Sequence, residues 1–169
     1  MKTIEGDLVV DDSRFDSIRF GEDRQSQRVD RAYDAPLGAM SMNWNAITAF
    51  VRPGDEVGAS AQVVLDVQSP FVRLQNKTKT VQAGKGFNVS VERLKSDKPE
   101  EGEVFLATGT IGLDHPEKAI YKSIREPAMF SAQSLRVFLE SRGITLKGTI
   151  RQGRAPKPVA ELAILATAE

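Results

Sequence analysis

Residues 126–150, EPAMFSAQSLRVFLESRGITLKGTI, carry the clearest secondary-structure pattern in the sequence. Pro127 suits the first turn of a helix, where its missing N–H leaves no hydrogen bond unmade, and Gly143 suits the position just past a helix end. Apolar and polar residues then alternate from Ile144 to Ile150, which predicts a half-exposed strand. A helix followed by a strand needs a sheet to pack on, and a short strand near Leu8 could supply part of it.

The predicted helix has one apolar face. Leu135, Phe138 and Leu139 recur at helical spacing, and Ala128 and Ala132 extend the same face toward the start of the helix. We therefore expect this face to be buried against the sheet.

The middle of the chain is typical of a β-rich unit. Apolar and β-branched segments are separated by turn-forming residues every 8–15 positions, a spacing found in small sandwiches and barrels. Trp44 and Asn45 lie between two such segments and predict a hairpin. The expected strands are Ala39–Asn43, Ala46–Val51, Val57–Val67, Phe71–Val81, Phe87–Glu92 and Val104–Leu113.

Charge is distributed unevenly along the chain. The first 35 residues carry a net charge of −3 and the last 49 carry +4, so the two ends would attract each other if they fold together. The fold class we expect is α+β: a β-rich domain, sandwich or barrel-like, inserted at residues 35–120. It would be nested in a discontinuous α/β unit built from residues 1–34 and 121–169.

Composition excludes several classes of protein. With 40% hydrophobic and 27% charged residues, the 169-residue chain has globular composition. It has no Cys and one His, which excludes disulfides and Cys-ligated metals. A net charge of zero argues against nucleic-acid binding. Glu5 and Asp7 interrupt the first apolar stretch, so we expect no signal peptide here. No apolar run reaches the 18 residues typical of a membrane span.

Three sequence blocks, taken in order, resemble one family. They are residues 6–15 (GDLVVDDSRF), residues 35–43 (APLGAMSMN) and residues 126–153, from EPAMF to GTIRQG. Together they resemble the non-catalytic middle region of class C low-molecular-mass penicillin-binding proteins. These are serine-type D-Ala-D-Ala carboxypeptidases and endopeptidases that trim peptidoglycan. In that family, large domains are inserted in the catalytic domain between its Ser-x-x-Lys and Ser-x-Asn motifs.

The resemblance implies an accessory role. The region would set the spacing between the active site and the wall, control substrate access, or dock a partner. The partner would be peptidoglycan or the catalytic domain of the parent enzyme, in the periplasm or cell envelope. Two alternatives remain open. One is a stand-alone β-rich binding or assembly module of the bacterial envelope; the other, which is less favoured, is an independent enzyme.

No catalytic residue of the family has a counterpart in this sequence. The acylation chemistry needs a Ser with a Lys three residues later, and none of the 12 serines has one. The closest pair is Ser90 and Arg93, but a guanidinium stays protonated and cannot act as a base. Residues 41–43 (SMN) match Ser-x-Asn outside the catalytic position, and residues 77–79 (KTK) lack the Gly of Lys-Thr-Gly.

Other chemistry has no stronger support. His115 precedes a Pro and is typical of a surface loop. Asp11, Asp12 and Asp16 lack the spacing of a calcium loop and suit turn or capping roles. We therefore predict no catalytic, cofactor or metal site in this chain.

Two basic stretches are the remaining binding candidates. Arg73, Lys77, Lys79 and Lys85 occur with no acidic residue between Asp66 and Glu92. Because the wall's stem peptides and envelope polymers are acidic, this stretch is a possible contact for an anionic polymer, although a solvated hairpin is the simpler interpretation. The second stretch consists of Arg151, Arg154 and Lys157.

Overall fold

The computed structural model describes residues 2–16, 18–20 and 30–155. It has ten strands, one α-helix and three short 3-10 turns among these residues, which confirms the expected α+β class. The elements are β1 (Thr3–Ile4), β2 (Leu8–Val10), β3 (Ala46–Arg52), β4 (Gln62–Leu65), β5 (Val72–Val81), β6 (Phe87–Arg93), β7 (Glu103–Gly112), β8 (Lys118–Ser123), α1 (Pro127–Ser141), β9 (Thr145–Leu146) and β10 (Ile150–Gln152).

The helix has the predicted ends but a different buried face. Pro127 is its first residue, and Gly143 follows it with a φ of +73° that suits glycine. Ala128 and Ala132 pack on Val10, whereas the expected contribution of Leu135 and Phe138 is wrong: they are 39% and 50% exposed. The physical reason is that the N-terminal half of α1 supplies the buried side chains, including Phe130 in the main core, while the outer face of its C-terminal half meets no sheet.

The two ends of the described chain pair as parallel strands. β1 pairs with β9, and β2 pairs with β10, so the single strand expected from Ile144 to Ile150 is wrong. The strand is interrupted at Gly148, where a Cβ atom would lie 2.2 Å from the carbonyl oxygen of Gly6. Two exposed ion pairs, Glu5–Lys147 at 3.1 Å and Asp7–Arg151 at 3.0 Å, join the acidic start to the basic end.

Two three-stranded sheets form the middle of the chain. In one, β3 lies between β4 and β8 and is antiparallel to both; in the other, β7 lies between β5 and β6. The strand expected at Ala39–Asn43 is absent, because residues 43–45 form a left-handed turn instead of a hairpin. Val57–Val67 forms a strand only at β4, and β8 was not expected at all.

One main core connects these elements. Ile47 of β3, Phe71 beside β5, Phe105 of β7 and Phe130 of α1 are fully buried members of the same apolar cluster. Because β8 pairs with β3 as far as Ser123, this sheet continues beyond residue 120. The strands in the described residues form four separate sheets and no closed barrel.

Candidate functional site

Three of the four predicted basic residues lie on one face of a strand. Arg73, Lys77 and Lys79 are separated by even numbers of residues along β5, so they share its exposed side. The opposite side buries Thr78 and Thr80 among others. We call Arg73, Lys77 and Lys79 the basic strand face. At about 3.3 Å per residue it spans roughly 20 Å.

Lys85 is not part of that strand. It lies in the turn that connects β5 to β6, exposed between Gly84 and Gly86. The structure therefore places three of the predicted residues in line and the fourth beyond the end of the strand. Across the described residues, no ion pair engages any of the four.

Uncharged polar residues continue the basic strand face across the sheet beside Lys77 and Lys79, whereas Arg73 is in register with Val104. Lys77 is in register with Thr108, which pairs with Ser90, and the Ser90 and Thr108 hydroxyls are 3.2 Å apart. Lys79 is in register with Thr110 in the same way. Cations beside a row of hydroxyls suit a polar anionic polymer, whose charges and hydroxyl groups could both be bound.

The second basic stretch is not a comparable surface. The Arg151 guanidinium binds the carboxylate of Asp7, which also accepts hydrogen bonds from the backbone N–H and hydroxyl of Thr149. These hydrogen bonds, led by that from the Thr149 N–H, lower the pKa of Asp7. Arg151 thus joins the two ends of the chain, and Lys157 lies outside the described residues.

The residues judged unfit for catalysis occupy structural positions. Ser90 faces outward from β6, whereas Arg93 turns inward to the carbonyl oxygen of Ser123 at 3.0 Å. His115 lies in a loop, with its Nδ1 2.7 Å from the carbonyl oxygen of Pro116. Asp11 accepts a hydrogen bond from the backbone two residues later, as expected for a turn.

A cleft that the sequence analysis missed lies between β6 and β8. It has a volume of about 540 Å³, and its lining includes Arg93, Glu103, Lys122 and Arg125. Lys122 makes an ion pair with Asp30 at 2.6 Å. The cleft therefore combines basic and acidic groups, several of which are already paired.

Glu103 is the buried group of this cleft. Its Oε1 accepts hydrogen bonds from the backbone N–H groups of Arg125 at 2.7 Å and Glu126 at 3.1 Å, and its Oε2 lies 3.4 Å from Arg93. Burial raises the pKa of Glu103, while Arg93 and the two N–H groups oppose that rise. The arrangement joins the start of β7 to the start of the helix.

The sequence contains a pattern that indicates a buried carboxylate at Glu103. Glu103, Phe105 and Ala107 alternate along β7 and share its buried side. A carboxylate in an apolar row has to be paired, since burying it alone is very unfavourable. This pattern could have identified the cleft.

Two further observations bear on the type of site. In the described part of the chain, no group of three or more Asp, Glu or His side chains is arranged to hold a metal ion. No helix there is long and apolar enough to cross a membrane.

Known proteins resemble this chain along nearly its whole length. The D-alanyl-D-alanine carboxypeptidase of Actinomadura sp. (strain R39) is 28% identical over 172 residues, which cover 98% of this chain and 31% of that protein. The crystal structure of penicillin binding protein 4 from Haemophilus influenzae has the same fold, with a TM-score of 0.69 at 16% identity over 93% of this chain and 34% of that one. Its complex with a novel β-lactam gives a TM-score of 0.59 at 14% identity.

The chain spans about a third of the length of these relatives. The sequence pattern of the D-Ala-D-Ala carboxypeptidase 3 (S13) family matches residues 1–169 without a gap at either end. The resemblance to penicillin-binding proteins expected from the three sequence blocks is thereby confirmed, and the chain belongs to the D-Ala-D-Ala carboxypeptidase 3 (S13) family.

Proposed function

We propose that this chain is a non-catalytic accessory region of a larger D-Ala-D-Ala carboxypeptidase or endopeptidase that trims peptidoglycan. One observation carries the proposal: the family pattern covers all 169 residues, yet no Ser is followed by Lys at the third position. Acylation by this chemistry needs a Ser hydroxyl beside a neutral amine that can take its proton. That pair would belong to the rest of the enzyme.

The proposed organisation is one domain nested in another. Residues 1–34 and 121–169 would form the discontinuous α/β unit, and residues 35–120 the inserted β-rich, sandwich-like domain. The parallel pairing of β1 with β9 and of β2 with β10 supports the first unit. The pairing of β3 with β4 and β8, and of β7 with β5 and β6, supports the second, although its core also takes in Phe130 of α1. Since β8 pairs with β3 as far as Ser123, we extend the inserted domain to that residue.

The proposed role of the region is contact with the wall. The basic strand face makes no ion pair with an acidic residue in the described part of the chain, is exposed, and extends along β5 for roughly 20 Å. Peptidoglycan stem peptides carry carboxylates, which lysine and arginine side chains attract over about a Debye length. Contact along this strand would hold the enzyme on its polymeric substrate, in the periplasm or cell envelope, with Lys85 as an additional contact beyond the strand.

Covalent labelling with a fluorescent penicillin tests the non-catalytic assignment. The chain of residues 1–169 should remain unlabelled, whereas the full-length enzyme should be labelled on a serine outside these residues. Excess unlabelled penicillin is the control for specific acylation. Specific labelling of a serine within residues 1–169 would contradict the assignment.

A further inference from the structure

The only Trp of the sequence is displayed on a strained turn. Asn43, Trp44 and Asn45 all have left-handed backbone conformations, with φ of 52°, 59° and 52°. Three successive non-glycine residues of this kind are unfavourable, because each Cβ crowds the following carbonyl group. Trp44 is 89% exposed, so the strain is not offset by burial of its ring.

Side-chain hydrogen bonds hold the turn in place. Asn45 accepts a hydrogen bond from the backbone of Met42 at 3.3 Å and donates one to the carbonyl oxygen of Pro36 at 3.0 Å. Asn43 donates to the carbonyl oxygen of Ala46 at 3.1 Å. Backbone strain that is held in place by surrounding hydrogen bonds is characteristic of functional positions.

The turn borders an apolar groove. Asn43 also donates a hydrogen bond to Asp66 at 2.9 Å, and Asp66 lies on the groove wall. The groove has a volume of about 380 Å³, and its apolar lining is Met42, Leu65, Val67, Val137 and Phe138.

The same surface continues along the outer side of α1. Phe138 lines both this groove and a second hollow formed with Leu135 and Leu139. Trp44, Phe138 and Leu135 are large apolar side chains left in water. We call the turn, the groove and this helix side the apolar face. The two hollows that share Phe138 form a continuous apolar surface, which marks a site of contact with another protein surface. The exposed Trp44 lies two residues from Met42 of the groove, and exposed Trp is often a dominant contact residue.

We propose that the apolar face docks the remaining part of the parent enzyme, an inference that rests on the proposed function. The relatives are about three times as long as this chain, so most of such an enzyme lies outside these residues. α1 packs against β2, β9 and β10, the strands nearest the two ends of the described chain. Both ends of the described chain therefore lie near α1.

Attachment through the same polypeptide makes docking of the rest of the enzyme more favourable than docking of a separate partner protein. A surface joined through the chain is present at millimolar effective concentration, so an apolar face of this modest size is sufficient to hold it. Interfaces between domains of one chain are commonly modest in area.

Hydroxyl-radical footprinting of the full-length enzyme tests the docking. Tyr121 is the internal reference, because it is an aromatic residue on β8 that is 60% exposed. If nothing covers the apolar face, Trp44 should be oxidised at least as fast as Tyr121, because Trp44 is 89% exposed. If the apolar face is covered, Trp44 should be oxidised several-fold more slowly than Tyr121. The double substitution Trp44→Ser and Phe138→Ser should then raise oxidation of Leu135 and Leu139, whereas the control Tyr121→Ser should not.

Each outcome has a distinct meaning. Oxidation of Trp44 as fast as Tyr121 in the full-length enzyme overturns the docking while leaving the proposed function intact. Protection that disappears when the enzyme is diluted to a monomer identifies a second copy as the occupant and also overturns it. Absence of any longer polypeptide in cells refutes the proposed function itself.

Discussion

The buried Glu103 carboxylate accepts a hydrogen bond from the backbone N–H of Arg125, with 2.7 Å between Oε1 and the nitrogen. Through this contact and the one to Glu126 at 3.1 Å, the first residue of β7 fixes the segment that leads into α1. Two parts of the chain separated by more than twenty residues are thus joined by one side chain.

Removing this carboxylate should weaken the fold. Glu103→Ala removes the carboxylate that pairs with Arg93 and leaves two backbone N–H groups without their acceptor, which should lower the free energy of unfolding by about 3 kcal/mol. Glu103→Gln retains one acceptor oxygen and should cost about 1 kcal/mol. Urea unfolding of the two variants measures both values. Equal stability of Glu103→Ala and the unsubstituted protein would contradict the role we assign to Glu103.

The contact between the chain ends should weaken in acid. Asp11 accepts a hydrogen bond from the backbone N–H of Ala155 at 2.8 Å, and this bond together with those from Ser13 lowers its pKa from 3.8 to about 2. Because the folded-state pKa is depressed, the stabilisation is present above pH 3.8 and is lost as the pH falls through about 2.

The amide chemical shift of Ala155, followed by NMR, reports this titration. Its midpoint should lie near pH 2, and Asp11→Asn should abolish it. A midpoint close to 3.8 would show that the Asp11 hydrogen bonds do not form in solution.

Relieving strain at Trp44 should stabilise the protein. Its φ of 59° suits glycine, and its ring is almost wholly exposed, so little packing is lost on substitution. Trp44→Gly should be more stable than Trp44→Ala by about 1 kcal/mol, since alanine keeps the Cβ that opposes this conformation. Thermal or urea unfolding compares the two variants. Higher stability of Trp44→Ala would argue against a left-handed turn.

Wall binding should depend on the basic strand face and the turn after it. Replacing Lys77, Lys79 and Lys85 by Glu removes three exposed cations, each worth roughly 0.5 kcal/mol, so binding to purified sacculi should fall about tenfold. Sedimentation with sacculi measures it. The matched control replaces Lys2, Lys95 and Lys118, which are also exposed, by Glu and changes the net charge equally. Unchanged binding of the first variant, or equal loss in both, would refute a specific contact.

Local patterns predicted the most regular elements. β5, β6 and β7 lie close to the expected segments because one face of each is buried, which gives their sequences a period of two. The ends of α1 followed from Pro127 and Gly143, whose backbone preferences are intrinsic. Neither signal depends on distant parts of the chain.

Features set by distant contacts could not be predicted. The left-handed turn at Trp44 depends on side chains that bind Pro36 and Asp66, and composition there suggested a hairpin. The spacing of Leu135 and Phe138 identified an apolar helix face without showing whether anything covers it. The polar content of β8 concealed a strand that forms because β3 offers it a free edge.

The position of the candidate site was partly predictable. Lys77 and Lys79 were identified by composition, and their common face follows from strand geometry. The alternation of Glu103 with Phe105 and Ala107 indicates a buried carboxylate. It does not show that the folded chain brings Arg93 and the backbone N–H groups of Arg125 and Glu126 to it.

The most direct test of the central claim is the intact mass of the endogenous protein, captured from cells with an antibody raised against this chain. An accessory region of a larger peptidase predicts a mass several tens of kDa above the 18.5 kDa of these 169 residues. A mass of 18.5 kDa would contradict the account and indicate a free-standing module of the envelope.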